Sequence, residues 1–422
     1  GNEHLSYHKF IKEQPIEAAF GIGTTFSTSF GQTYFISLFV PSLLAALPIT
    51  TGEFGTLYGI GTLVGALILP LIAAHYDSTP LALYTRRVFW AVGVSALLLA
   101  LTVHPIMLVL AVAGLRLTGP GLMTHVSNTT MAKGFEKRRG RALGLSSLGY
   151  PLGEAILPPI AAGLLLFVEW RVLWLLIAAL YLLALPWGVT WLIGRARFES
   201  FVATDYDPTK NARKGKLRRA WKLMRSDQRF WWILPTQMLL PMLMTAVFLY
   251  QAPLAVSKGW NTTFMASLFS IFALCKAGTS IWVGPRIDQH GALSMVGFVA
   301  VPVTLGMALI SISSHPAAAV GFFMLAGLTG GSAGNVFTSV WAEFYGPKQL
   351  GAIKGLTGSL AVVSSAIGPA IAGALLGLGV GFDTMLAGFA GAILVTAICA
   401  SRAASIAAPE PTDHSQPGSN PE

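Results

Sequence analysis

The chain has 422 residues, 54% of them hydrophobic and only 11% charged, with a formal net charge of +10. A soluble domain carries about 25% charged residues, and no soluble fold of this length hides so much apolar surface. The surplus of positive charge lies in loops between apolar runs, not in a basic stripe interleaved with aromatics, so nucleic acid is excluded as a partner and a lipid bilayer is the expected solvent.

A membrane-spanning helix needs roughly 20 mostly apolar residues. Six such runs come first, near 19–46, 53–75, 86–103, 105–133, 140–168 and 172–194. A polar break follows, and then six more near 229–255, 262–284, 292–313, 316–341, 352–379 and 383–402. The expected class is an all-α membrane protein of twelve transmembrane helices in two pseudo-symmetric six-helix bundles. Residues 1–194 form the first bundle, 195–228 a basic cytoplasmic linker, 229–402 the second bundle, and 403–422 a disordered tail rich in Pro, Ser and Asp. The linker holds ten basic and four acidic residues, including "KNARKGKLRRAWK". It reads as a plain connection between halves, or as a segment drawn to lipid headgroups.

Lys and Arg set the orientation. Of the 28, 24 fall at the N-terminus, in the even-to-odd loops, at the adjoining helix ends and at the C-terminal end; only Arg171 and Lys258 fall in the opposite loops. Both termini are therefore expected in the cytoplasm.

The two halves repeat one another. A shift of 211 residues lays "GRALGLSSLGYPLGEAILPPIAAG" from Gly140 on "GAIKGLTGSLAVVSSAIGPAIAGA" from Gly351, and brings Gly144 to Gly355, Pro158 to Pro369 and Asp77 to Asp288. A parallel duplication of six helices is a transporter signature, with the solute site between the halves near the midplane.

These residues also carry a resemblance. "GPRIDQHG" at Gly284–Gly291 resembles the loop pattern of the major facilitator superfamily, with Arg286 and Asp288 in place. The first copy, "AAHYDSTP" followed by Arg86 and Arg87, keeps Asp77 but has Ala73 and Pro80 where the pattern has glycines. "LRLTGPG" in span 4 and "IGPAIAG" in span 11 are similar to two further motifs of that family. "FEKRRGRALGL" and "PLGEAILPP" resemble its monocarboxylate and oxalate–formate branch, although the span 1 start typical of eukaryotic monocarboxylate carriers is replaced by "FSTSFGQTYFISLF". The resemblance implies secondary transport and a gating role for Asp77, Arg86, Arg87, Arg286 and Asp288. Charge-assisted hydrogen bonds there would latch neighbouring helices in one state and release them in another. The plainer reading is charges that merely set topology.

Three ionisable residues lie inside spans: Arg116, Glu154 and Lys276. Each costs roughly 2.5–3.5 kcal/mol if it faces lipid, so each should face a cavity or another of the three. Lys276 and Arg116 suit a negatively charged solute, and Glu154 suits a proton. The competing reading is a buried network that only holds helices together, and for Arg116 the two readings weigh equally. Lys276 falls on Gly65 under the 211-residue shift. A charge present in one half only is less easily explained as scaffold. Gln32, Tyr34 and Asn335 are added as lining groups for an oxygen-rich solute, against their use in helix-to-helix hydrogen bonds.

Cys275 and Cys399 lie in apolar runs and make neither a disulfide framework nor a metal set. No phosphate-binding loop or nucleophile motif is present in the sequence, so no cofactor or enzymatic activity is expected and energy must come from a gradient. The expected function is alternating-access transport of a small, monocarboxylate-like organic anion with a proton. The alternative is a proton-coupled exporter of drugs or other hydrophobic solutes. A monomer in a bacterial inner membrane suits the short loops.

Overall fold

The computed structural model describes residues 3–200 and 214–409, and no strand occurs among them. Its first six spans are Pro15–Gly31 with Thr33–Ala46, then Thr51–Tyr76, Leu81–Ala100, Pro105–Gly134, Arg139–Ser146 with Gly149–Leu164, and Trp170–Arg195. The second six are Gln228–Leu249 with Gln251–Lys258, then Thr262–His290, Val301–Ile312, Pro316–Tyr345, Pro347–Gly377 and Phe382–Ser401. All twelve apolar runs are helices. Span 9, Val301–Ile312, is the shortest and follows a 3₁₀ turn at Leu293–Met295.

Local chemistry sets the ends. Span 2 opens with a capping box: Glu53 N donates to Thr50 Oγ1 at 3.1 Å and Thr50 N to a Glu53 carboxylate oxygen at 3.4 Å. Asn261 Oδ1 accepts from Thr263 N at 2.8 Å and Phe264 N at 3.2 Å, starting span 8. Span 8 stops at Gly291, whose φ of +76° lies in the region that favours glycine. Pro80 precedes span 3, which begins at Leu81 and not near 86, so Arg86 and Arg87 lie within the helix.

Two further segments are helices that the apolar runs do not predict. A leading helix, Glu3–Glu13, precedes span 1, and a linker helix, Lys214–Arg225, precedes span 7. The expected tail of 403–422 starts with a turn, Arg402–Ser405, in which Ala403 is buried; residues 410–422, and linker residues 201–213, lie outside the described part.

The halves meet along spans 2 and 11 and along spans 5 and 8. The first seam runs through glycines: a Cβ on Gly55 would stand 2.1 Å from Pro369 O, and one on Gly59 would stand 2.4 Å from Ala366 O. Tyr250 of span 7 donates across it to Thr51 O at 2.7 Å. On the second seam Ser270 donates to Ala155 O at 2.6 Å. These contacts lie at mid-depth and at the end away from the linker. Toward the linker end, added Cβ atoms at Gly140, Gly284 and Gly358 would meet nothing within 4 Å. The halves thus meet at mid-depth and at the end away from the linker, and the basic-residue bias assigns the linker end to the cytoplasm.

Candidate functional site

Lys276 sits midway along span 8, between Thr262 and His290. Sequence reading places it nearer the inner end, because it stops that span at 284; the polar "PRIDQH" continues the helix by a further turn and a half. Its Nζ meets Glu154 Oε1 of span 5 at 3.1 Å. This ion pair joins the two halves at mid-depth. The Glu154 side chain is 10% exposed and that of Lys276 33%. The second oxygen, Glu154 Oε2, is buried with no hydrogen-bond partner among the described residues.

At an effective dielectric near 20, charges about 3 Å apart attract by roughly 5 kcal/mol, before desolvation is counted. Desolvation costs several kcal/mol per buried ion. The two effects are similar in size, so the pair adds little net stability.

A glycine exchange makes room for this lysine. In the first half a small residue on span 2 allows the approach of span 4: a Cβ on Gly65 would lie 2.9 Å from Ala113 O. In the second half the small residue is on span 10, where a Cβ on Gly331 would lie 2.3 Å from Lys276 O. Once span 10 supplies the glycine, the position matching Gly65 is free to carry a long side chain.

Away from the linker, the pair is roofed by aromatic rings. Phe272 lies 5.6 Å from Lys276 Nζ, and Phe248 packs against Phe272 at 5.0 Å and Phe269 at 5.5 Å. Phe323 meets Phe269 at 5.1 Å, and Tyr34 of span 1 reaches Phe269 across the halves at 6.1 Å. These rings form an apolar lid on that side. Composition hid it, because phenylalanines in a membrane span read first as lipid-facing surface.

The structure places Tyr34 near the pair: its hydroxyl would lie 2.7 Å from a Cβ on Gly153, the residue before Glu154. It takes Arg116 elsewhere. Arg116 Nη1 donates to Gly31 O at 3.0 Å, with the guanidinium 5.8 Å from the Tyr58 ring centre. Span 1 bends by 44° here, Gln32 is extended, and the freed carbonyl needs a donor. Gln32 turns its amide back to Thr28 Oγ1 at 3.2 Å. Asn335 is exposed, one turn beyond Gly331, and Gly327 and Gly331 of the same helix face span 8.

At the linker end, Asp77 pairs with Lys133 of span 4 at 2.5 Å, and not with Arg86 or Arg87. Those arginines lie beyond the first turn of span 3; Arg86 Nε is buried without a partner among the described residues, and Arg87 is exposed. Asp288 is exposed, and Arg286 stacks on Trp282 at 4.8 Å in place of pairing with it. No group of three or more His, Cys, Asp or Glu able to hold a metal occurs among the described residues.

The profile of the Major Facilitator Superfamily matches residues 21–369. The chain belongs to that family. This superfamily member is therefore an integral, multi-pass membrane transporter rather than an enzyme. Its fold is similar to the nucleoside transporter NupG, at a TM-score of 0.72 and 10% identity over 93% of this chain and 100% of that one. A point mutant of NupG gives 0.73 at 11% identity, over 92% and 99%. A bacterial homolog of the human lysosomal transporter Spinster, in an inward-facing and unoccupied conformation, gives 0.68 at 15% identity, over 92% and 95%. No curated protein matches the sequence.

Proposed function

We propose that this superfamily member moves a small organic anion together with a proton, by alternating access between its two halves. The observation that carries the reading is the Glu154–Lys276 pair joining the halves at mid-depth. Empty, the pair is neutral. Protonation of Glu154 leaves Lys276 unpaired, and an anion at Lys276 restores neutrality. A site carrying only the proton or only the anion holds an uncompensated buried charge, which opposes burial when the halves rock. The empty and doubly loaded forms are both free to reorient, which is the condition for symport. In this scheme Asp288, Arg286, Arg86 and Arg87 latch the cytoplasmic end in one of the two states. The Asp77–Lys133 pair ties spans 2 and 4 within the first half. We place the protein as a monomer in a bacterial inner membrane.

A second reading rests on the same pair. Left intact, it presents no net charge and suits a neutral polar solute, and the fold's likeness to a nucleoside transporter makes nucleosides the solutes to set against carboxylates. The aromatic lid also keeps hydrophobic solutes and export in the comparison.

Purified protein is tested by thermal shift with monocarboxylates, nucleosides and cationic drugs side by side, and the responding solute is then followed in proteoliposomes. Symport predicts stabilisation by a carboxylate, accumulation driven by an inward proton gradient, and loss of carboxylate stabilisation in Lys276→Ala. Glu154→Gln should lose accumulation but keep exchange, because Lys276 then needs an anion in every reorientation. Carboxylate binding by Lys276→Ala equal to that of the wild type sinks the anion reading.

A further inference from the structure

The linker helix, Lys214–Arg225, and the leading helix, Glu3–Glu13, are copies of one element. The 211-residue shift that relates the two halves carries one range onto the other. Both pack on the same repeated glycine. Tyr7 of the leading helix lies over Gly144 of span 5, where an added Cβ would stand 2.8 Å from its hydroxyl. Leu217 of the linker helix lies over Gly355 of span 11, at 3.7 Å by the same measure. Both turn apolar side chains inward: Phe10 is fully buried in the first, and Ala220 and Met224 in the second.

Their charges differ. The leading helix, EHLSYHKFIKE, holds two glutamates and two lysines. It is tied into the protein: Glu13 meets Lys9 at 3.8 Å and Arg138 at 2.9 Å, and Arg138 also pairs with Glu199. The linker helix, KGKLRRAWKLMR, holds six lysines and arginines and no acid. Arg218, Arg219, Lys222 and Arg225 are exposed, and none makes an ion pair among the described residues. A neutral copy suffices for the packing role, so packing does not account for the positive charge of the second copy.

The position of the linker helix supplies a reason. The helix rests on the start of span 11 and runs into span 7, so it lies at headgroup depth. Beside it Trp221 and Trp231 meet edge to face at 6.2 Å, and both are over a third exposed. Exposed tryptophans at a span end mark the membrane–water boundary. Exposed Leu223 and Trp221 offer apolar contact at the same level as the unpaired cations.

We propose that the linker helix binds the phosphodiester headgroups of anionic phospholipids in the cytoplasmic leaflet, through Arg218, Arg219, Lys222 and Arg225. The binding is independent of which solute the protein carries. Each basic residue near an anionic surface strengthens binding by about fivefold, the equivalent of about 1 kcal/mol.

The full chain is purified in a neutral detergent, and phosphatidylglycerol or phosphatidylcholine is titrated against thermal stability, with bound lipid counted by native mass spectrometry. Phosphatidylglycerol should stabilise the wild type and be retained in preference to phosphatidylcholine. The quadruple variant R218Q/R219Q/K222Q/R225Q should need at least about tenfold more phosphatidylglycerol for the same shift. The variant R218K/R219K/R225K keeps the charge and should behave as wild type, which separates lost binding from lost folding. K9Q/K12Q in the leading helix should change nothing. Equal retention of the two lipids by the wild type, or an unchanged titration in the quadruple variant, overturns the proposal. So does inorganic phosphate that competes at millimolar concentration, because the site would then belong to a soluble anion.

Discussion

The two halves share one repeat, yet they build their spans differently. In the first half, span 1 breaks at Gln32, spans 4 and 6 contain π-helical stretches at Leu117–Met123 and Leu180–Ala184, and span 5 is interrupted between Ser146 and Gly149. In the second, spans 8, 10 and 11 run for 29, 30 and 31 residues without interruption. Irregular backbone inside a membrane must be satisfied by protein. The first half does this with side chains that converge on span 1: Arg116 donates to Gly31 O at 3.0 Å and Tyr181 to Ser27 O at 2.6 Å, while Thr25 of span 1 donates to Ser146 O at 2.5 Å. Arg116 and Tyr181 are thereby committed to the backbone, whereas Glu154 of the same half meets only Lys276 among the described residues. In the second half spans 8, 10 and 11 carry no such break, although Pro285 and Pro369 each remove one backbone donor, and Lys276 pairs across the halves.

The ion pair is where this contrast breaks most easily. Removing one partner leaves a buried charge alone, so Lys276→Ala or Glu154→Gln should lower net accumulation by a hundredfold or more in proteoliposomes. The stability loss should be about 1–3 kcal/mol, discounted because the lysine is partly exposed. The charge swap E154K/K276E should recover the stability and not the transport.

Gly55→Val should come next. Its Cβ would overlap Pro369 O at 2.1 Å, so the closed seam cannot form. Transport should fall at least tenfold, and cysteines introduced on the seam side should become more accessible to labelling.

Asp227 tests the second half at the mouth of span 7. Burial pushes its carboxyl up, but hydrogen bonds from Arg229 and Tyr345 outweigh that and leave it below the ordinary value of 3.8. A lowered folded pKa contributes stability that is present above 3.8 and lost as the pH falls through the folded value. Asp227→Asn strands buried Arg229 and should cost about 3 kcal/mol near neutral pH. It should also flatten the fall of the thermal midpoint below pH 3.8, measured against wild type.

Tyr181→Phe leaves Ser27 O without its donor and should cost about 1–3 kcal/mol by thermal shift. Gln237→Met removes a 3.1 Å bond from Trp341 in the second half with little change of volume, no backbone break depends on it, and it should cost less. Equal losses would mean that the irregular half is not specially dependent on its side-chain locks. The smallest change should come from Asp77→Asn. Its pair with Lys133 is partly exposed and should contribute under about 1 kcal/mol, with any larger effect confined to transport rate.

The sequence by itself determined the number and order of the spans, because a bilayer imposes a length of apolar chain that needs no partner residue to be read. It also determined the duplication, since Gly144 with Gly355 and Pro158 with Pro369 keep one register over a whole half. It marked Lys276 as an unusual residue, because a lysine stands where the first half has Gly65. Only the tertiary structure decided what each polar residue meets. Lys276 and Glu154 are 122 positions apart on helices from different halves. Arg116 was taken by a carbonyl left free where span 1 breaks, and Asp77 by a lysine that returns at the end of span 4. Lipid exposure and burial both select apolar side chains, so the pattern that reveals a membrane helix conceals which of its faces turns inward.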